Sequence, residues 1–246
     1  MVKYKQMSKY PTLSKAPLVD TVVELRFNTH TPSQVMGGLL YSKLQDYGYS
    51  VFQELPIMQL PENIRENDPG LKYSINFRIK KDNFWIGVGK SVLTISTICK
   101  DGSYVGWDLY KKEIEVVFSV FDELFSINSF ERVGVRYINI FTRENILNDI
   151  NLQLTTPWTE NLSEEFSVGF VRTDEDVRSR IQVVYPATMN FETDSTSKTG
   201  QLLDIDSYVE GSIPSDAALD TIGILHDKTE QSFFETLKPD FIEELK

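Results

Sequence analysis

Pairs of charged residues occupy alternating segments of this sequence at spacings that place each pair on one face of a strand. The six residues are Glu24, Arg26, Arg132, Arg136, Asp204 and Asp206. Members of each pair are two or four positions apart, and side chains at even spacing in a strand share a face. If the three strands adjoin, the arginines could meet the carboxylates across the sheet.

Two interpretations of these residues are open. In the first, they form a polar constellation on an uncovered sheet face and bind an anionic or zwitterionic ligand or a partner. In the second, they are cross-strand ion pairs on a solvated face, each contributing roughly 0.2–1 kcal/mol. The second arrangement is the more common one in proteins. An assay of ligand binding and folding for Arg136→Ala separates the two interpretations.

Other candidate chemistry in the sequence has a simpler structural interpretation. His226 and Glu230 are four apart on a predicted helix and could share a metal, but the apolar stripe of that helix favours a hydrogen-bonded histidine at a helix–sheet contact. Asp174-Glu-Asp176 could hold a divalent cation but fits a turn between strands. Cys99, in an alternating segment, is predicted to be buried. We find no nucleophile–base pair, and we expect no catalytic residue, metal or cofactor.

The elements that carry these residues are predicted from hydrophobic periodicity. Period-two alternation with β-branched residues predicts a strand over Val19–Phe27. A helix follows, with Thr31 as its N-cap, Gln34 closing a capping box and Gly48 at its end. Three further strands and a long amphipathic helix from about Asp108 complete the first part, and another alternating strand opens the second. The predicted strands are Leu71–Ile79, Phe84–Val88, Ser91–Ile98 and Arg132–Phe141.

The second part repeats this order of elements. A short helical stretch is followed by strands and by a closing helix that begins near Ser215 and stops at Pro239. The predicted strands are Phe166–Arg172, Arg180–Tyr185, Thr188–Glu192 and Gln201–Val209. We therefore predict an α+β fold, a mostly antiparallel sheet with helices on one face, built from a duplicated β-α-β-β-β-α unit. The predicted divisions are a flexible lead-in over 1–12, a first repeat over 13–130 and a second over 131–246, which could form one continuous domain.

Charge is distributed unevenly along the chain. Residues 1–141 contain 17 Lys and Arg against 15 Asp and Glu, whereas residues 142–246 contain 8 against 21. An acidic surface attracts basic proteins and repels phosphate backbones. We expect a basic protein partner and no nucleic acid; homo-oligomerisation stays open. With one cysteine, no long apolar segment and no secretory signal, we expect a cytoplasmic protein without a membrane partner.

Several segments resemble a sporadically distributed family of uncharacterised bacterial proteins whose function is unassigned. The matching segments are Ala16–Phe27, Arg132–Asn139, Leu202–Asp206, Leu225–Asp227 and Phe233-Phe234. The resemblance implies a shared fold but no activity. The patchy occurrence of that family resembles that of toxin–antitoxin, phage-defence and mobile-element genes.

Three functions follow as hypotheses. The first is a non-enzymatic interaction protein of a bacterial accessory system, of the toxin-neutralisation or phage-defence type, which binds a basic protein through its acidic C-terminal half. The second is a small-ligand binding or sensor module that uses the polar sheet face and the three tryptophans, Trp85, Trp107 and Trp158. The third and least supported is a cation-dependent hydrolase built on Asp and Glu residues.

Overall fold

A single nine-stranded antiparallel sheet organises the computed structural model, which describes residues 10–99, 104–143, 146–153, 165–191 and 196–246. Its strand order is β2-β3-β4-β5-β1-β6-β9-β8-β7. The strands are β1 Leu18–Arg26, β2 Val51–Glu54, β3 Phe77–Lys81, β4 Phe84–Val88, β5 Val92–Ile98, β6 Ser129–Phe141, β7 Phe166–Asp174, β8 Val177–Phe191 and β9 Thr196–Pro214. The predicted α+β fold with a mostly antiparallel sheet is confirmed.

Helices pack on one face of this sheet and leave the other face without a helical layer. They are α1 Ser33–Leu44, α3 Trp107–Phe125, α4 Ala218–Thr236 and α5 Pro239–Leu245, whereas the short α2 Glu62–Asn67 belongs to the connection between β2 and β3. The alternation of β1 and β6 explains the arrangement, since Val23, Leu25, Val133 and Val135 are fully buried beneath the helices. None of the described helices is long and apolar enough to cross a membrane.

The amphipathic stripe of α3 supplies much of the core. Tyr110, Ile114, Val117 and Phe121 are all buried on it. The Tyr110 hydroxyl reaches into the sheet, where it donates to the Ile95 carbonyl at 2.5 Å and accepts from the Val23 amide at 3.2 Å. A helix is therefore fixed to the two central strands by both apolar burial and hydrogen bonds.

Several element boundaries differ from those predicted. α1 begins at Ser33 behind Pro32 and has no side-chain cap, so the predicted capping box is wrong. β2 lies within a stretch predicted to be irregular, and α5 begins at Pro239, where the sequence predicts a stop. The strands predicted over Arg180–Tyr185 and Thr188–Glu192 form one strand, β8, with a register shift between Val184 and Ala187.

The long β8–β9 hairpin shapes one end of the helix-free face. Beyond the register shift, Phe191 is buried against Val19 and Ile140, which belong to β1 and β6. Val19 turns to this face because a bulge between Leu18 and Asp20 shifts the register of β1. The hairpin therefore packs back on the helix-free face of the sheet.

The two parts of the chain place their strands in a related order. β1 pairs with β5 on one side, β6 pairs with β9 on the other, and β1 and β6 pair with each other at the centre. Duplication of one unit stays a prediction, as do the divisions near residue 130. Residues 1–9 of the predicted lead-in lie outside the described residues; Tyr10 stacks on Phe234 with ring centroids 4.6 Å apart.

Candidate functional site

The six predicted site residues all lie in one groove on the helix-free face. β1, β6 and β9 are neighbours, so the three pairs meet across the centre of the sheet. The groove has a volume of about 280 Å³. Four residues that the sequence analysis did not select also line it: Val22, Gly134, Arg180 and Gln182.

Arg132 is the buried centre of the groove. Its Nη1 donates to Glu24 on one neighbouring strand, and its Nη2 donates to Asp206 on the other at 2.8 and 2.7 Å. Its guanidinium carbon lies 4.4 Å from the ring centroid of Tyr208, and the residue is only 6% exposed. A Cβ added to Gly134 would overlap the Arg132 guanidinium, so the glycine leaves the space in which that group lies flat on the sheet.

Arg136 forms a second ion pair in the same groove. Its Nε and Nη2 donate to the two oxygens of Asp204 at 2.8 and 2.6 Å, a bidentate geometry that favours both charged forms. The bond to Asp204 raises the pKa of Arg136 above its ordinary value. Asp204 is 7% exposed, whereas the Arg136 side chain is 46% exposed, so the arginine still faces the groove.

Arg26 lies at the rim of the groove. Its Nε is 2.8 Å from Glu24 Oε1, and its guanidinium carbon lies 4.3 Å from the ring centroid of Tyr73. The Nε is buried but forms no hydrogen bond, since its N–H is not directed at the nearby carboxylate. Glu24 therefore serves mainly as an acceptor for Arg132.

Burial raises the pKa of Asp206, and the adjacent Arg132 partly opposes this effect. The cause is desolvation, because a carboxylate removed from water loses its hydration. Both oxygens of Asp206 already accept from Arg132. The carboxylates of the groove therefore already accept hydrogen bonds from arginines. Within the described residues, no group of His, Cys, Asp and Glu has the arrangement of a metal site.

Arg180 is the functional candidate that the sequence analysis missed. It lies on β8 directly across from Asp206, is exposed and makes no hydrogen bond or ion pair with any described residue. The signal was available, because Arg178, Arg180 and Gln182 alternate with residues of the buried face just as the six predicted residues do. The predicted strand over Arg180–Tyr185 contained it, but no partner strand was assigned.

The remaining candidates have structural roles. His226 is buried, stacks on Trp107 with ring centroids 3.7 Å apart, and its Nδ1 lies 2.5 Å from the Tyr137 hydroxyl. The predicted hydrogen-bonded histidine at a helix–sheet contact is thereby confirmed. Burial lowers the pKa of His226 to about 4. Cys99 is buried as predicted, and burial raises the pKa of its thiol.

Among the described residues, neither the acidic turn nor Trp85 or Trp107 lines the groove. Asp174 ends β7, and β8 begins at Val177, so the predicted turn lies between them; Lys228 donates to Asp174 at 2.5 Å. Trp85 lies beside Arg78 and Lys80, whose charged groups are 4.5 and 4.3 Å from its ring centroid. Trp158 lies outside the described residues.

Comparison of the chain with protein-family models gives no match, and comparison with curated proteins gives none. The resemblance to the sporadically distributed bacterial family stays a prediction.

Proposed function

We propose that this protein acts by binding rather than by catalysis, and that the groove on the helix-free face is its binding surface. The observation that carries the proposal is the position of Arg132, which is fixed between Glu24 and Asp206 and has Arg136 and Arg180 beside it on the same face. Side chains held in place before binding lose little conformational freedom on association. Such a preorganised set of charges is suited to recognition of a small polar ligand.

A screen of ligands tests this proposal. The melting temperature of the protein is measured at low ionic strength with nucleotides and polar metabolites, and each ligand that raises it is repeated with Val22→Trp, which fills the groove floor. Thr173→Trp, on the exposed end of β7 outside the groove, is the control. We expect Val22→Trp to abolish the shift and Thr173→Trp to retain it. A shift that persists in Val22→Trp, or no shift with any ligand, would contradict the proposal.

A second candidate is the non-enzymatic interaction protein that binds a basic partner through the acidic C-terminal half. A stripe along the exposed side of α4 and the turn before it supports this candidate, because Asp216, Asp220 and Asp227 are exposed and make no ion pair with other described residues. Ile224, 55% exposed, lies within the same stripe. A basic protein of a bacterial accessory system, such as a toxin, would match this stripe in charge.

Pull-down with neutralised variants tests the second candidate. The parent and the triple variant Asp216→Asn, Asp220→Asn, Asp227→Asn are used as baits at increasing salt. A triple variant of exposed acidic residues in the first part, Asp46→Asn, Glu54→Gln, Glu115→Gln, is the control. A salt-sensitive basic partner lost only with the α4 variant supports the candidate. Capture that is indifferent to salt, or equal loss in both variants, argues against it.

A further inference from the structure

We propose that the ligand of the groove carries an anionic group, a carboxylate or a phosphate, and that Arg180 is its principal contact, assisted by Arg136 and Arg26. This inference rests on the proposed function, since it names the class of ligand for the same groove. It differs from the second candidate, because the acidic stripe lies on α4 in the helical layer and the groove lies on the opposite face of the sheet.

The charges that line the groove do not balance. Four of the residues lining it are arginines and three are carboxylates, namely Arg26, Arg132, Arg136 and Arg180 against Glu24, Asp204 and Asp206. Arg132 uses one carboxylate on each side, and Arg136 uses Asp204. Arg26 lies 2.8 Å from Glu24, which it shares with Arg132, so the arginine without a carboxylate partner among the described residues is Arg180. An added monoanion would therefore neutralise the groove, whereas an added cation would have no free counter-charge.

Hydrogen-bonding capacity leads to the same conclusion. Both oxygens of Asp204 and of Asp206 already accept from arginines. Several donors in the groove have no hydrogen bond to a described residue. They are the Nη1 of Arg136, the guanidinium of Arg26, whose buried Nε has no hydrogen bond, and the whole guanidinium of Arg180 among the described residues. A set of unused N–H donors recognises acceptor oxygens, which carboxylate and phosphate supply in the planar or tetrahedral geometry that arginine binds best.

The register of the sheet brings two of these donors together. Arg136, Asp206 and Arg180 are direct cross-strand neighbours on β6, β9 and β8. Neighbouring strands lie roughly 4.8 Å apart, so the backbones at Arg136 and Arg180 are about 10 Å apart. Two arginine side chains that extend above Asp206 from that spacing can hold one anion between them. Asp206 already accepts from Arg132 at both of its oxygens and forms no ion pair with Arg180.

Titration with simple anions tests this inference. Binding of inorganic phosphate and, separately, of succinate is measured by calorimetry and by melting temperature at low ionic strength, with sodium chloride at equal ionic strength as the reference. Arg180→Gln removes the free charge. Arg178→Gln is the matched control, since Arg178 lies two residues away on the same strand and face, is similarly exposed, pairs with Glu210 at 3.0 Å and does not line the groove.

We expect at least one of the two anions to bind the parent more strongly than chloride does. Loss of one charge-assisted contact should weaken that binding about 10- to 100-fold in Arg180→Gln, while Arg178→Gln should stay within about twofold of the parent. The relative strengths of phosphate and succinate then tell a phosphorylated ligand from a carboxylic acid. Equal weakening in the two variants, or binding of neither anion above chloride, would overturn the inference.

Failure of the inference can be told from failure of the proposed function. If a neutral or cationic ligand raises the melting temperature of the parent and of Arg180→Gln but not of Val22→Trp, the groove binds a ligand and only the anionic class is wrong. If Val22→Trp reduces the melting-temperature shift of no ligand of any charge, the groove is not a binding surface and both proposals are wrong. Arg180 is exposed and has no ion pair within the part of the chain that the structure describes, so its replacement should leave folding unchanged.

Discussion

At the scale of single residues, Arg132 links the stability of the sheet to the shape of its groove. The guanidinium connects β1 to β9 across β6 and covers Gly134, so its position depends on both carboxylates and on the missing side chain. Because it is buried and has two carboxylate partners, its removal leaves Glu24 and Asp206, both largely buried, without their main counter-ion. Arg180 has the opposite character, because it is exposed and forms no ion pair with any described residue.

Replacement of Arg132 by Leu should therefore destabilise the protein by about 3 kcal/mol, because Glu24 and Asp206 would lose their main partner. Urea denaturation measures the change. Arg180→Gln is the control and should change the free energy of unfolding by less than about 0.5 kcal/mol. Adding Asp206→Asn to Arg132→Leu should restore part of the loss. If Arg132→Leu proves as mild as Arg180→Gln, the ion pairs contribute little to folding.

Asp20 should make stability depend on pH. Burial raises its pKa to about 7, although Arg136 and Arg78 oppose the shift, and its Oδ1 is buried without a hydrogen bond. The folded protein keeps the proton that the unfolded chain releases above pH 4, so stability is full below that pH and falls as the pH rises to 7. Asp20→Asn should therefore raise the free energy of unfolding by on the order of 4 kcal/mol at pH 8 and leave it nearly unchanged at pH 4. Denaturation at the two pH values decides this; an equal effect at both excludes the ionisation.

At the scale of elements, α1 approaches the sheet through a glycine. A Cβ on Gly37 would lie 3.1 Å from the ring of Phe77, whereas one on Gly38 would meet nothing within 4 Å. Gly38→Ala should stabilise the protein by roughly 0.5–1 kcal/mol, because alanine loses less backbone freedom in a helix. Gly37→Ala should give no gain, since Phe77 must move. Thermal denaturation of the two variants compares them, and equal stabilisation would show that α1 has room to shift.

The sequence predicts elements where a pattern is long enough to be visible. β1 and β5 follow the expected alternation of buried and less buried residues, but the four residues of β2 are too few to show a period. Two prolines lie where predicted and observed elements differ. Pro186 falls at the register shift of β8, where no ladder hydrogen bond is needed, and Pro239 starts α5, because the first helical position needs no N–H.

The sequence predicts which site residues share a face of one strand, but not which strands are neighbours in the sheet. Alternation places Glu24 with Arg26 and Asp204 with Asp206 on shared faces, and that part needs no tertiary information. Their meeting depends on β1, β6 and β9 lying side by side, a pairing between segments far apart in sequence that local patterns do not specify. Arg180 was missed for the same reason, because its significance comes from the neighbour that β9 places beside it.

At the scale of the whole molecule, the helix-free face of the sheet differs in charge from the acidic chain as a whole. By strand register, basic residues outnumber acidic ones among the described residues of the helix-free face. The basic residues are Arg26, Arg78, Lys80, Arg132, Arg136, Arg178 and Arg180, and the acidic ones are Asp20, Glu24, Asp204, Asp206 and Glu210. A chain of net charge −11 thus presents a sheet face that can receive an anion.

His226 joins the two parts of the chain, and its ionisation should govern acid stability. It lies on α4 and contacts Trp107 of α3 and Tyr137 of β6. Burial lowers its pKa to about 4, and Lys111 adds to the effect. Between pH 6.5 and 4, His226 is therefore protonated in the unfolded chain but neutral in the folded protein. Stability is therefore full above pH 6.5 and falls by about 3 kcal/mol as the pH drops to 4.

Replacement of His226 by Phe should remove that dependence. The ring keeps the stacking on Trp107 but has no nitrogen to protonate and no bond to the Tyr137 hydroxyl, so the variant should be less stable than the parent at pH 7.5. The difference should shrink or reverse at pH 4. Between these pH values Asp20 acts in the opposite sense, because there the folded state binds the extra proton. The difference between variant and parent, measured by denaturation from pH 4 to 7.5, isolates the histidine; a difference that is constant with pH would show that His226 does not titrate on unfolding.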